Sequence, residues 1–171
     1  MKSRMWISVL MAAGIAFAAV TANAGDNPMA RPFAGTAVGD VHWEILGAGL
    51  CPPQQDYITM SKATGTMRHL GLTTVTENHC AGADGFPIWG ALLFAAANGD
   101  QLWGTVVVGS CAWGEGGDTW FSETCDYTID GGTGRFGNAS GNLHVTVYLW
   151  PTANYLGPWA AKFVWKGTVR Y

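Results

Sequence analysis

Charged residues are scarce in this sequence, since Asp, Glu, Lys and Arg make up only 12% of its 171 residues. Lys2 and Arg4 are two of the nine basic residues, and all twelve acidic residues follow residue 24. The chain from Gly25 onward therefore carries a formal net charge of −5. A chain of this charge has no basic patch for nucleic acid, and no basic amphipathic stretch indicates binding to a membrane surface.

Motifs for metals, nucleotides and serine nucleophiles are also missing. No C-x-x-C pair occurs, and the four histidines show no spacing typical of metal ligands. Residues 132–137 spell G-x-G-x-x-G, but a predicted strand follows instead of a helix, and no acidic residue lies about 20 residues further on. No G-x-S-x-G is present. We expect neither a metal nor a cofactor, and we interpret 132–137 as a tight connection between strands.

The N-terminus has the order of a secretory signal peptide. A basic start is followed by an apolar run from Met5 to Val20 and by the small-x-small sequence Ala22-Asn23-Ala24. The apolar run is short for a membrane span of about 20 residues. We predict cleavage between Ala24 and Gly25, a flexible segment over 25–32, a single domain over 33–171 without a membrane span, and secretion or export to the periplasm.

Four cysteines lie beyond the signal peptide, and an even number in an exported chain indicates two disulfides. Three pairings are open. A turn-rich stretch at 114–118 lies between Cys111 and Cys125 and favours that pair, which leaves Cys51 with Cys80.

Helix-forming stretches are absent after the signal peptide, because every apolar period of ten residues is interrupted by glycine. Alternating apolar and polar residues separated by turn signals predict strands instead. About eight antiparallel strands in succession favour an all-β, up-and-down barrel with two disulfides, and a two-sheet sandwich is the alternative. The predicted strands are 33–46, 57–68, 72–79, 88–97, 101–111, 119–129, 142–150 and 160–171.

Two local patterns support the barrel. Asn98-Gly99 is a strong hairpin signal, for which positive φ is expected at both positions. In the last strand, Lys162, Lys166 and Arg170 share one face and apolar residues the other. If the cations point outward, an outer-membrane barrel would place each of them against lipid, at up to about 2–4 kcal/mol at the midplane.

Aromatic residues are frequent, and nine of them are tryptophan. Most would fill a core, but some could line a cavity that opens at one end of the barrel and stack on an apolar ligand. The candidates for such a lining are Trp103, Trp120, Phe163 and Trp165.

Two pairs of residues are candidates for acid–base chemistry. His42 and Glu44 share a face of the first predicted strand, and Glu77 lies near His79 on the third. A carboxyl group aimed into an apolar interior has a raised pKa and can move protons, whereas at the surface or rim it is an ordinary solvated group. Both interpretations stay open.

The glycine-rich connection resembles that of a known superfamily. Residues 130–141, DGGTGRFGNASG, are similar to the GGTG-x-F-x-x-A-x-G connection of the allene oxide cyclase and dirigent superfamily. Residues 96–102, AANGDQL, and 65–71, GTMRHLG, resemble pieces of uncharacterised secreted bacterial proteins with that barrel. The similarity extends over about Phe33 to Tyr171.

The resemblance implies an eight-stranded antiparallel barrel, often trimeric in plants, with an apolar cavity. Plant members steer a reactive lipid epoxide or a radical coupling largely by shape and without cofactors. Their catalytic glutamate and asparagine have no matched motif position here, and Glu44 on the corresponding first strand is the candidate for the glutamate. Two disulfides and long Cys-bearing loops depart from the plant pattern, and fold transfers better than activity.

Three functions follow as hypotheses. The first is an exported barrel, a monomer or a homo-oligomer such as a dimer or trimer, that binds an apolar small molecule in its lumen. A cofactor-free isomerase or cyclase reaction is the activity that this hypothesis leaves open. The second is a non-catalytic scaffold or interaction protein of the cell envelope, and the third, minor one is an outer-membrane barrel.

Overall fold

The computed structural model describes residues 29–45, 51, 57–82, 86–114, 120–151 and 157–171. These residues form nine strands and one short 3-10 turn at Gly134–Phe136. The strands are β1 (Arg31–Ile45), β2 (Tyr57–Met67), β3 (Gly71–Ala81), β4 (Pro87–Ala96), β5 (Gln101–Val106), β6 (Ala112–Gly114), β7 (Phe121–Gly132), β8 (Ser140–Trp150) and β9 (Trp159–Arg170).

All strand pairs are antiparallel and follow the order β5-β4-β3-β2-β1-β9-β8-β7. Pairing of β5 with β7 closes these eight strands into a barrel, and the short β6 lies beside the first half of β7. The predicted eight-stranded barrel is therefore confirmed, and the two-sheet sandwich does not form. Closure leaves no long sheet edge exposed.

The predicted strand over 101–111 is wrong in its second half. β5 ends at Val106, the chain turns outward, and pairing with β7 resumes only at Ala112. The turn is held by a hydrogen bond from Ser110 N to Val107 O of 3.1 Å and by Asp126 N, which donates to Ser110 Oγ over 2.9 Å. Alternation stops at Val106-Val107-Val108, and Gly109-Ser110 is a turn signal at this place that the predicted strand overlooked.

The hairpin at Asn98-Gly99 joins β4 to β5 as predicted, but its geometry differs. Gly99 has φ of 90°, whereas Asn98 is not among the residues with positive φ. The Asn98 side chain instead accepts a hydrogen bond from Asp100 N at 3.1 Å. An Asx-type contact thus takes the role that was expected of a second left-handed residue.

The barrel interior is filled by apolar side chains that alternate with outward ones along each strand. Lys162, Lys166 and Arg170 all lie on the exposed outer face of β9. If the barrel were inserted into a bilayer, these three cations would face lipid. Their position therefore argues against the outer-membrane hypothesis. The largest fully buried side chains include Trp165, Tyr127, Phe33, Phe94, Phe136 and Phe163.

The two ends of the barrel differ. At one, which we call the capped end, the buried Phe136 packs against Tyr171 with ring centroids 4.6 Å apart. At the other, which we call the disulfide end, Cys51 is bonded to Cys80. Cys111 is bonded to Cys125 on β7, so both predicted disulfides are confirmed.

Some predictions fall outside the described residues. The signal peptide, its cleavage site and the first part of the 25–32 segment lie there, although Arg31 and Pro32 already belong to β1. In the part of the chain that is described, no helix has the length and apolar character needed to cross a membrane.

Candidate functional site

Four polar side chains meet inside the apolar barrel, and we call them the polar cluster: Ser61, Glu77, His79 and Tyr127. Each occupies an inward position of its strand and is buried. Ser61 lies directly opposite Glu77 in the β2–β3 ladder, and its hydroxyl donates to Glu77 Oε2 over 3.1 Å. Across the lumen, the Tyr127 hydroxyl and His79 Nε2 lie 2.6 Å apart.

Glu77 is in a site that favours its protonated form. Removal from water raises the pKa of its carboxyl group from 4.5 to about 8; the Ser61 hydrogen bond opposes this rise, the nearby Glu123 carboxyl adds to it, and the Tyr127 hydroxyl opposes it. Oε1 of Glu77 is buried and has no hydrogen-bond partner among the described residues. At neutral pH the cluster therefore contains a protonated carboxyl group with one unused oxygen.

His79 and Tyr127 are both held neutral. Burial lowers the pKa of His79 from 6.5 to about 4, and burial together with the two nearby carboxyl groups raises the pKa of Tyr127 well above 10. Their contact is thus a hydrogen bond between a neutral imidazole and a neutral phenol, in which either group can donate. A proton can pass through this pair only if each group that donates a proton also receives one, so that both groups stay neutral.

Glu123 extends the cluster toward the disulfide end. It lies on the inward side of β7, four residues before Tyr127, and removal from water raises its pKa to about 7. Its Oε1 lies 3.5 Å from Cys125 Sγ, and ligand atoms of Cys111, Glu123 and Cys125 lie within 4.8 Å of one another. Because both sulfurs belong to a disulfide, they offer no thiolate to a metal.

The barrel wall is interrupted beside this cluster. The β4–β5 ladder begins only at Ala91, so Pro87–Gly90 pair with β3 on one side and, within the described residues, with no strand on the other. The outward turn of Val107–Cys111 occupies the corresponding part of the neighbouring strand. We call this place the wall break. Irregularities of this kind are frequent next to functional sites because they redirect side chains.

Gly90 shows how closely His79 approaches the wall break. A Cβ atom at position 90 would lie 2.2 Å from His79 Cδ2 and 3.0 Å from Asn78 O. Only glycine leaves room for the imidazole ring in this position. The His79–Tyr127 pair therefore stands directly behind the interrupted part of the wall.

Two further polar atoms near the interior lack partners. Nε1 of Trp43 and Nε1 of Trp165 are buried and make no hydrogen bond to any described residue. The Trp165 ring contacts that of Tyr127, with centroids 5.4 Å apart. Buried donors are almost always paired in folded proteins, which makes the Trp165 donor, beside Tyr127 of the polar cluster, a candidate contact for a ligand.

The four predicted lining residues fall into two groups. Phe163 and Trp165 point into the barrel and are buried. Trp103 is on the outer face and 38% exposed, and Trp120 is half-buried against Tyr148, which belongs to the outer face of β8. Trp103 and Trp120 therefore do not line the lumen, because both lie among the outward-facing side chains.

The sequence-based acid–base candidates also separate. Glu77 and His79 lie in the lumen, which is the location that the acid–base hypothesis required. Glu44 belongs to β1 opposite Ile58, but its side chain lies outside what the structure describes. Ser61, Glu123 and Tyr127 were not identified from the sequence; the available signal was a polar residue on the apolar face of an alternating strand.

Comparison with protein-family models, with curated proteins and with solved structures found no match.

Proposed function

We propose that this barrel is an exported protein that binds a neutral, largely apolar small molecule in its lumen, with the polar cluster holding one oxygen atom of that molecule. The observation that carries the proposal is Glu77, a buried carboxyl group with one oxygen unpartnered among the described residues. A buried polar group without a partner is costly, typically by about 1–3 kcal/mol, and a ligand that pairs with it removes that cost.

The charge of the site selects a neutral ligand. No lysine or arginine is among the buried residues described, and His79 is neutral. An anionic ligand would therefore meet two carboxyl groups and no cation, while a cationic one would have to force Glu77 or Glu123 to ionise in an apolar interior. A neutral molecule avoids both penalties.

The protonation state of Glu77 selects a hydrogen-bond acceptor. At neutral pH its carboxyl group is mostly protonated and can donate to a carbonyl, ether or hydroxyl oxygen of the ligand. A carboxyl group whose pKa lies near the working pH can also give a proton and take it back. Cofactor-free isomerisation or cyclisation, with Glu77 as the acid, is the reaction class that fits this arrangement.

The sequence resemblance belongs to this proposal. A closed eight-stranded antiparallel barrel is the fold that membership of the allene oxide cyclase and dirigent superfamily implies, and cofactor-free chemistry in an apolar lumen is its expected activity. Two disulfides support export, because such bonds persist in oxidising compartments. We place the acid at Glu77, on β3, rather than at Glu44, because the described contacts surround Glu77.

A matched pair of variants tests the site. Prodan, a neutral planar fluorescent ketone, serves as the probe, and its emission reports transfer from water to an apolar site. Ser61→Ala removes a buried hydroxyl inside the polar cluster, whereas Thr73→Val removes one that is equally buried near the capped end. We expect the wild type and Thr73→Val to bind prodan alike, and Ser61→Ala and Glu77→Leu, the second of which has no hydrogen-bond donor, to bind it about tenfold or more weakly.

Loss of binding in both hydroxyl variants, or in neither, would overturn the assignment of the site. Failure of the wild type to bind prodan or any co-purifying molecule would instead favour the scaffold hypothesis. One observation already supports that second candidate: large side chains such as Trp165, Phe94 and Phe163 fill the middle of the barrel. A rigid, filled barrel is what a scaffold requires.

A further inference from the structure

Exposed apolar side chains gather around the wall break. Ile88 and Trp89 lie on the part of β4 that lacks a second neighbour, Val107 and Val108 lie on the outward turn, and Trp113 lies on β6. We call these five residues the apolar rim. Trp89 is 55% and Val108 66% exposed. Single exposed apolar residues are ordinary, but a group of them at one place marks a contact surface.

The surface that carries the apolar rim has few charges. From Phe86 to Gly114 the only charged residue is Asp100, which lies toward the capped end and pairs with Arg135. On the neighbouring β7, the exposed Asp126 contacts the outward turn at Ser110 and pairs with His144. Around the barrel, β9 is four strands from β4 in either direction, and its outer face carries Lys162, Lys166 and Arg170. One side of the molecule is thus matched to an apolar surface and the opposite side to water.

The described ends of the chain lie far from the apolar rim. β1 begins, and β9 and Tyr171 end, at the capped end, where Tyr171 packs on Phe136. The apolar rim and the described ends of the chain are therefore separated by about the length of the barrel, roughly 35 Å for strands of this size.

We propose that the apolar rim docks on a lipid surface and that the neutral ligand enters the lumen from that surface through the wall break. The ligand route rests on the proposed function, whereas the docking stands on the rim alone. Two tryptophans and three aliphatic residues without charges suit the boundary between headgroups and acyl chains, where tryptophan is enriched. A neutral apolar molecule concentrates in the same layer, a short step from His79 and Tyr127.

Flotation with dioleoylphosphatidylcholine vesicles tests the docking on the full mature protein. Val108→Ser and Val38→Ser form a matched pair, because Val38 is 63% exposed but lies on β1, away from the wall break. We expect the wild type and Val38→Ser to float equally. Val108→Ser should float several-fold less and Trp89→Ser about tenfold less, since each loses apolar area that enters the lipid layer.

Three results would overturn the docking: no flotation of the wild type, equal weakening by Val38→Ser, or a dimer that Val108→Ser dissociates while vesicles are not bound. The last result would make the rim an interface between copies of the chain. Prodan binding without vesicles, measured on the same variants, separates the two proposals. Flotation without prodan binding would contradict the proposed function alone, and prodan binding without flotation would contradict the docking alone.

Discussion

Glu77 is the residue whose environment departs furthest from what its chemistry prefers. Its carboxyl group is surrounded by inward-facing side chains of β2, β3 and β7, with a hydrogen bond from Ser61, the Tyr127 hydroxyl close by and a second carboxyl group in the neighbourhood. An apolar residue of similar size would fill this position at lower cost. The presence of a buried acid here therefore indicates a role in binding or proton transfer rather than in packing.

The stability of the fold should report the protonation of Glu77. Its pKa is about 8 in the folded protein and 4.5 as a free side chain, so the folded state keeps a proton that the unfolded chain releases. The free energy of unfolding should thus fall as pH rises from about 4.5 to 8, by at most about 1.4 kcal/mol per unit. Glu77→Gln should remove most of the slope between pH 7 and 8 in urea unfolding.

Two neighbouring groups titrate in other ranges and provide the controls. Because the pKa of Glu123 is about 7, Glu123→Gln should change the slope mainly below pH 7. Burial lowers the pKa of His79, which removes stability only as pH falls below 6.5. An unchanged slope above pH 7 in Glu77→Gln would show that its carboxyl group is ionised in the folded protein, contrary to our account.

At the residue scale the sequence identified half of the polar cluster. Glu77 and His79 could be named because two titratable groups stood close together on an alternating strand. Tyr127 and Ser61 could not, because a tyrosine or serine on an inward position is common in any core. Their importance depends on pairing with residues 48 positions away across the lumen and 16 positions away on the neighbouring strand, which no local pattern contains.

Among the secondary-structure elements, the interruption between β5 and β6 has the greatest consequence. It opens the ladder beside β4, exposes the apolar rim and brings Cys111 next to Cys125 and Glu123. The prediction of one continuous strand over 101–111 overlooked the end of alternation at Val106-Val107-Val108 and the turn signal Gly109-Ser110. The Cys111–Cys125 pairing was a second sequence feature that pointed to this place.

The two disulfides should therefore differ in their effect on binding. By chain entropy alone, replacing Cys111 and Cys125 by alanine should cost about 3 kcal/mol of stability, and replacing Cys51 and Cys80 about 3.5, because the second loop is longer. We expect only the first pair of substitutions to weaken prodan binding, since that disulfide holds the outward turn beside Glu123. Equal losses of binding, measured under conditions in which both variants stay folded, would contradict this.

For the whole molecule, closure of the barrel was the most predictable property. Eight alternating segments in succession leave few ways to bury one face of every strand, and the closed barrel is the one that also removes the sheet edges. Which outer face is apolar was less accessible from the sequence, because Trp103, a candidate for lining the lumen, is exposed on the outer face in the structure. A tryptophan at the border of an alternating pattern can belong to either side.

Native mass spectrometry of the mature, unreduced protein from its native source tests the central claim most directly. Our account predicts a small neutral molecule retained by the wild type and by Thr73→Val, and lost from Glu77→Leu, with both disulfides intact in all three. The same molecule retained on Glu77→Leu, or an empty wild-type barrel, would contradict the claim that the buried carboxyl group holds a ligand.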